Sequence, residues 1–462
     1  MSEAIRFLAC CLGVACLVFF WTATGSTARR PNLILIQADD LGYGELSCYG
    51  QRQFKTPNLD RLAAEGTRFT QYYAGSTVCA PSRSALMTGQ HTGHTRIRGN
   101  ARFPLLPEDV TVAEVLKAAG YRTALIGKWG LGEAGTTGIP TRQGFDYFFG
   151  YLNQRHAHNY YPTFLWRNEE RVKLRNIIQN EDAEGSGVSE NKLDYSHDLF
   201  TEEALAFLDK QGPDPFFLYL AYTIPHANNE ARDRGMEVPD LGEFAGRDWP
   251  EVQKAKAAMI ARLDRDVGRV SERLKRLGID RETVVFFTSD NGPHREGGVD
   301  PEFFESHGAL RGIKRDLYEG GIRVPMIVRW PGRIRAGAVS RQVWSHWDFL
   351  PTAAALAGVR PQDWPARLDG LSMLSALLGR SQPNHEYLYW EFHEGGFAQA
   401  LRMGDWKAVR PKLDSPLELY DLKRDLGERD NLAGRNPEVV KKIENYLRNA
   451  RTESELWPIK KN

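Results

Sequence analysis

The hydrophobic positions of this chain fall into two alternating patterns from about Arg29 to Ala357. Short, nearly continuous apolar runs suit strands buried on both faces of a parallel sheet. They are Asn32 to Ala38 (NLILIQA), Tyr121 to Gly127 (YRTALIG), Pro215 to Ile224 (PFFLYLAYTI), Thr283 to Thr288 (TVVFFT) and Val324 to Arg329. Between them, apolar residues recur every three or four positions. Glu251 to Leu277 is the clearest case, with Met259, Leu263, Val267, Val270, Leu274 and Leu277 on one stripe and Gly278 as its stop. Asn58 to Glu65, Val112 to Ala119 and Ser196 to Lys210 read as further helices. Strands alternating with helices predict an α/β domain, with helices on both faces of a mostly parallel sheet.

The pattern changes after about Ser381. Short strands are predicted over Glu386–Phe392, Ala398–Met403, Trp406–Arg410 and Leu417–Leu422, followed by a helix from Pro437 to Arg451. This reads as a small antiparallel sheet with one helix. The expected organisation is a leader over residues 1–28, a main domain over 29–380 and a C-terminal subdomain over 381–462. Phe7 to Trp21 is apolar and short for a membrane span, and small and polar residues follow it. It fits a signal-peptide core, so the protein is expected to be exported, periplasmic or secreted, with no stable span after cleavage. An uncleaved anchor is the alternative. The stretch from Asn153 to Asp194 has no clear pattern and is long enough to suggest a functional loop.

Composition and charge narrow the picture. The formal net charge is +1, so no global field favours nucleic acid, and anion binding must come from a local site. Removing the leader leaves Cys48 and Cys79. Two cysteines make no disulfide framework, although they could pair with each other.

Polar clusters stand where the predicted strands end, which is where ligands collect in open α/β sheets. Asp39 and Asp40 follow the first strand, and Asp290 and Asn291 follow Thr283 to Thr288. Either pair alone reads as a turn. Together they offer three carboxylates and an amide oxygen, a hard oxygen set that suits Ca²⁺, or less well Mg²⁺, rather than Zn²⁺. His226 closes another strand as a candidate acid or base. Lys128 and Lys314 lie among glycines that permit close approach. Cys79 precedes a predicted helix start at Pro81, so its thiol reads either as an activated thiolate or as a small buried hydrophobe.

Five ordered blocks then resemble one family. Cys79-Ala80-Pro81-Ser82-Arg83 matches the C-x-P-S-R signature of formylglycine-dependent sulfatases, and SRSALMTG continues it. PNLILIQADDLGYGELSCYG, GKWGLG, TSDNG and GIKRDLYEGGIRVP resemble that family's other blocks. The resemblance implies an alkaline-phosphatase-like α/β/α sandwich with a smaller C-terminal subdomain. It implies that a maturation enzyme oxidises Cys79 to Cα-formylglycine, whose hydrated form attacks the sulfur of a sulfate ester. It assigns Asp39, Asp40, Asp290, Asn291 and modified residue 79 to a calcium ion, and Arg83 to holding the formylglycine. Lys128, His226 and Lys314 would grip sulfate or serve the leaving group. The substrate it implies is a sulfated carbohydrate or aryl sulfate.

One departure stands out: Gly130 occupies a position where the family block carries histidine. His294 and His307 are candidates to replace it, His307 as a pocket-lining residue, and His156 and His158 could meet the leaving group. Two other functions share the motifs: a phosphonate or phosphodiester hydrolase of the same superfamily, and a non-catalytic binder of sulfated glycans.

Overall fold

The computed structural model describes residues 29–459, so the predicted leader lies outside the described residues. Fifteen strands form along this part of the chain, the first eleven in the main sheet. In chain order they are β1 (Asn32–Ala38), β2 (Thr67–Tyr73), β3 (Arg122–Lys128), β4 (Tyr147–Tyr151), β5 (Phe164–Arg167), β6 (Glu170–Lys173), β7 (Phe216–Ala221), β8 (Thr283–Ser289), β9 (Arg323–Arg329), β10 (Ala338–Ser340) and β11 (Trp344–Ser345). The sheet runs β10-β2-β9-β8-β1-β7-β3-β4-β5-β6, with β11 also on β2. Its centre, β8-β1-β7-β3-β4, is parallel. β9 is antiparallel to both β8 and β2, and β5 and β6 add an antiparallel edge.

Strand β1 is buried at every position because both of its faces are covered. Successive side chains point to opposite sides. Ile34 and Ile36 enter one core with Leu263 and Val267, whereas Leu33 and Leu35 enter the other with Leu86, Leu116 and Phe349. Five helices precede β8: α1 (Pro57–Glu65), α2 (Cys79–Thr88), α3 (Val112–Ala118), α4 (Ser196–Asp209) and α5 (Glu251–Arg276). The first core contains side chains of α1, α4 and α5, and the second contains side chains of α2 and α3. Leu277 departs from the predicted stripe: α5 ends at Arg276, and Leu277 is exposed at its cap, before Gly278 with φ 71°.

The smaller sheet follows three short helices, α6 (Glu319–Ile322), α7 (Phe349–Leu356) and α8 (Leu374–Leu377). It pairs β12 (Leu388–Phe392), β13 (Ala398–Met403), β14 (Trp406–Arg410) and β15 (Glu418–Asp421) in order, all antiparallel. One face packs Leu401 and Leu419 on Ile443 and Leu447 of α9 (Pro437–Asn449). The other packs Trp390 and Val409 against Tyr73, Ile322 and Trp347 of the main unit.

Two expectations are corrected. The stretch from Asn153 to Asp194 contains the β5–β6 hairpin, which escaped notice because it is short and its second strand, ERVK, is charged and mostly exposed. Cys48 and Cys79 are both free thiols, so the pairing reading does not hold. Among the described residues, no helix is long and apolar enough to cross a membrane.

Candidate active site

The parallel register of β1 and β8 brings Ala38 level with Ser289. The residues that follow therefore emerge side by side. The backbone N–H of Asp40 donates to Oδ1 of Asp290 at 3.0 Å, and Asn291 Nδ2 donates to Asp40 Oδ1 at 2.6 Å. Asp40 holds φ 61°, a left-handed conformation that aspartate tolerates better than most residues, at a cost of strain stored at the site.

Helix α2 begins at Cys79 after the extended Val78, and all ten of its residues are buried. Cys79 Sγ lies 3.4 Å from Oδ1 of Asp39. Arg83, one turn on, shares that face of the helix. Its Nε and Nη2 donate to Oδ2 of Asp290 at 3.2 and 2.9 Å, and Nη1 donates to the Lys128 carbonyl at 3.1 Å. Nη2 also lies 3.3 Å from Asp39. A lysine at position 83 would supply one charge without this fork. Arg83→Lys is expected to cost about 1–3 kcal/mol of stability, read as a lower midpoint in denaturant titration.

Lys128, at the end of β3, donates to Asp39 Oδ2 at 2.6 Å. Lys314 reaches Asp40 Oδ2 at 2.9 Å and Glu296 Oε2 at 3.0 Å. Both lysines are buried rather than solvated. Burial works against their charge, but the carboxylates beside them outweigh it, and both stay protonated with raised pKa values. His226 Nδ1 faces the carbonyl of Ala227 at 2.6 Å, which fixes the proton there in the neutral ring. Its Nε2 therefore turns a lone pair toward Lys314 Nζ at 3.2 Å. Burial, with Lys314 adding to it, pushes His226 down to about 3.

The thiolate reading of Cys79 is not supported. Burial first, and then Asp39 at its side, push the thiol far above its ordinary value despite the helix start. Burial also opposes ionisation of Asp39 and Asp40, but Lys128 and Lys314 respectively hold them below the usual carboxylate range. Asp290 goes the other way: burial and the neighbouring Asp39 push it up to about 7. Three carboxylates crowd together here, opposite Arg83, Lys128 and Lys314. Asn291 Oδ1 is buried with no hydrogen-bond partner. A partnerless oxygen beside crowded carboxylates is the donor set of a hard divalent cation, so the residues fit such an ion.

The site also contains two groups that the sequence did not announce, Glu296 and Arg315, and two histidines that it did offer, His158 and His294. Glu296 accepts from Lys314 and, at 2.6 Å, from Arg315, whose φ is 79°. His158 stacks on His226 with ring centroids 4.9 Å apart and meets Glu230 at 3.2 Å. His294 stacks beyond His226 at 5.9 Å and faces the Pro225 carbonyl. His307 does not join them; it contacts Glu302 at 2.9 Å and the Gly308 carbonyl at 3.0 Å. His156 packs between Tyr151 and Phe164, away from the carboxylates.

Comparison with known proteins identifies the family. The sulfatase family model matches residues 31–359, and a model of the C-terminal region of N-sulphoglucosamine sulphohydrolase matches residues 309–453. The chain is 31% identical to N-acetylgalactosamine-6-O-sulfatase of Bacteroides thetaiotaomicron, covering 93% of this chain and 94% of that one. It is 34% identical to human arylsulfatase A, covering 90% and 87%. A solved structure of Ps i-CgsB in complex with k-i-k-neocarrahexaose superposes with a TM-score of 0.78 at 27% identity, covering 94% and 95%. A phosphonate monoester hydrolase of Agrobacterium radiobacter shares the fold at a TM-score of 0.64. The chain belongs to the sulfatase family, and is a sulfuric ester hydrolase.

Proposed function

We propose that this enzyme hydrolyses sulfate monoesters of carbohydrates, using Cys79 converted to Cα-formylglycine and a calcium ion. The observation that carries this reading is the charge of the site. Asp39, Asp40, Asp290 and Glu296 face Arg83, Lys128, Lys314 and Arg315, so the side-chain charges balance with His226 neutral. A divalent cation then leaves the site positive, which suits an anionic ester such as a singly charged sulfate monoester. Phosphonate monoesters and phosphodiesters carry the same single charge, so they are the competing substrates. The names of the relatives support the carbohydrate: one acts on N-acetylgalactosamine 6-sulfate and one solved neighbour holds a neocarrahexaose.

Asp39, Asp40, Asp290 and Asn291, with an oxygen of modified residue 79, would hold the ion, which when bound supplies Lewis-acid polarisation. The modification puts a hydratable aldehyde where a neutral thiol now stands, and so supplies an oxygen nucleophile. Arg83, itself held by Asp39 and Asp290 one turn along the helix, would hold that residue. Lys128 and Lys314 are already charged and aimed inward, so they can take sulfate oxygens without reorganising. His226 Nε2 carries the ring's lone pair beside Lys314 Nζ, so it can accept a proton there and pass it on to the leaving oxygen. Retention of all these groups argues against a non-catalytic glycan binder. On the same reading the leader directs export, residues 29–380 form the catalytic domain, and residues 381–462 form a subdomain that closes it.

Activity after co-expression with a formylglycine-generating enzyme should be compared on 4-nitrophenyl sulfate, 4-nitrophenyl phosphate and a phosphonate monoester. Sulfate is expected to be the best substrate; a faster phosphorus ester sinks the reading. Chelation with EGTA should remove activity, and readdition of Ca²⁺ should restore it and raise the melting temperature in a concentration-dependent way, since the ion binds the folded state. Recovery with Mg²⁺ alone would reassign the ion.

A further inference from the structure

A polar pocket of about 220 Å³ opens beside the nucleophile helix, walled by Asn100, Arg102, Gly130, Glu133, Gln154 and Arg155. Asn100 ties it to the reacting centre, because its Oδ1 accepts from the backbone N–H of Ala80, next to Cys79. Gly130 stands two residues beyond Lys128 at φ 81°, and a Cβ there would overlap Nε2 of Gln154. Gln154 thus fills the volume that a side chain at 130 would take. Its Nε2 is sealed from solvent and has no hydrogen-bond partner. An amide donor left unpaired in a sealed position costs stability, and an oxygen that pairs with it recovers that cost. The side chain is half-buried and borders the pocket, so rotation about its χ angles carries the amide from Gly130 into the cavity.

The charges of the walls point to the kind of ring that fits. Arg155 is engaged by Glu230 at 3.1 Å and Asp182 at 3.3 Å, and Arg102 by Glu184. Glu133 adds a carboxylate held by Asn153 Nδ2 at 2.7 Å. Two arginines and one carboxylate line the pocket, but both arginines are paired, and with their partners Glu184, Glu230 and Asp182 the carboxylates number four against two arginines. A second sulfate or a uronic carboxylate would meet net negative charge here, whereas hydroxyl or acetamido oxygens would meet a waiting donor.

We propose that this pocket receives the alcohol part of the ester as an uncharged, hydroxyl-bearing ring, and that Gln154 is its specificity-determining residue. The proposal rests on the sulfatase reading above and refines its substrate to singly sulfated neutral sugars. The test uses the matured enzyme on 4-nitrophenyl sulfate, on the singly sulfated hexose or N-acetylhexosamine it turns over best, and on that sugar carrying a second sulfate. The singly sulfated sugar should be favoured over its doubly sulfated form by about 10-fold or more in kcat/KM. Gln154→Ala should lower kcat/KM on that sugar by about 10-fold, one buried hydrogen bond, and change 4-nitrophenyl sulfate by less than about 3-fold.

Equal losses of Gln154→Ala on both substrates, no loss on either, or preference for the doubly sulfated sugar would each overturn the proposal. Hydrolysis of the aryl sulfate with no turnover of any singly sulfated sugar overturns the pocket assignment and leaves the sulfatase reading standing. A matured wild-type enzyme inactive on every sulfate ester overturns both, and that is seen before any variant is compared.

Discussion

Cys79→Ser is expected to abolish sulfate ester hydrolysis, by on the order of 10⁴-fold or more, while leaving the fold and its melting temperature nearly unchanged. The structural half of this expectation follows from the site. Cys79 is buried and makes one polar contact, to Asp39. A serine hydroxyl is close to isosteric and keeps an acceptor for itself in Asp39, so packing around α2 is preserved. The chemical half follows from the thiol. Buried beside a carboxylate, it is held neutral, and a neutral thiol or hydroxyl at this position is a poor nucleophile toward a sulfate anion. On the proposed mechanism, turnover depends on conversion of residue 79, which an engineered serine escapes unless a serine-competent maturation system is present. Intact-mass analysis of the peptide containing residue 79, paired with 4-nitrophenyl sulfate turnover, checks both halves. Near-full activity from wild-type protein whose thiol is intact would remove formylglycine from the mechanism.

How much of this was legible in the sequence depended on whether burial or tertiary contact carried the information. The central strands β1, β7 and β8 were legible because burial on both faces leaves mostly apolar residues, and the polar residues at and after their C-terminal ends marked the carboxylate cluster. The antiparallel β5–β6 edge was not, because half-exposed four-residue strands lack that signature. Lys128 and Lys314 were offered by their glycine-rich surroundings, but their burial was not visible there. Their burial comes from Asp39, Asp40 and Glu296 arriving from other elements. Glu296 and Arg315 sit in turns with no periodicity, so only the folded backbone reveals that they meet. The missing side chain at Gly130 was visible as a departure, but not that Gln154 occupies its volume. His307, close to Lys314 in sequence, turned out to be held by Glu302 instead. Sequence proximity is a poor guide within a turn-rich segment.

Lys407→Met is expected to cost about 3–5 kcal/mol of stability near pH 8, and less at pH 5. Lys407 rises from β14 into a sealed junction between the two sheets, where it donates to Glu319 Oε1 at 3.0 Å and Glu428 Oε1 at 3.3 Å. Glu319 also accepts from Tyr73 and Arg323, and its backbone N–H donates to Glu428 at 2.7 Å. Methionine keeps the length and apolar stem but leaves two buried carboxylates with one cation fewer. The pH dependence follows from Glu428. Burial opposes its ionisation, Lys407 relieves that only in part, and Glu319 adds repulsion, which together raise it from 4.5 to about 7. Between those values the folded state binds a proton that the unfolded chain has lost, so this group's contribution to stability falls as pH rises through the interval. In wild type, melting temperature should therefore decline from pH 5 to 8 through this group, and Glu428→Gln should flatten the decline. Removing Lys407 should steepen it, because the proton is then held more tightly. The same junction supports the catalytic turn. Glu319 lies five residues beyond Lys314, and the Gly321 carbonyl beside it accepts from the backbone N–H of Gly292, next to Asn291. Lys407→Met should thus also raise KM for sulfate esters at temperatures where the protein remains folded. Thermal denaturation across pH 5 to 8 tests the first effect and steady-state kinetics the second. A variant as stable as wild type at pH 8 would mean that the smaller sheet is held by its apolar face, Trp390 and Val409 on Tyr73 and Trp347, rather than by this charged junction.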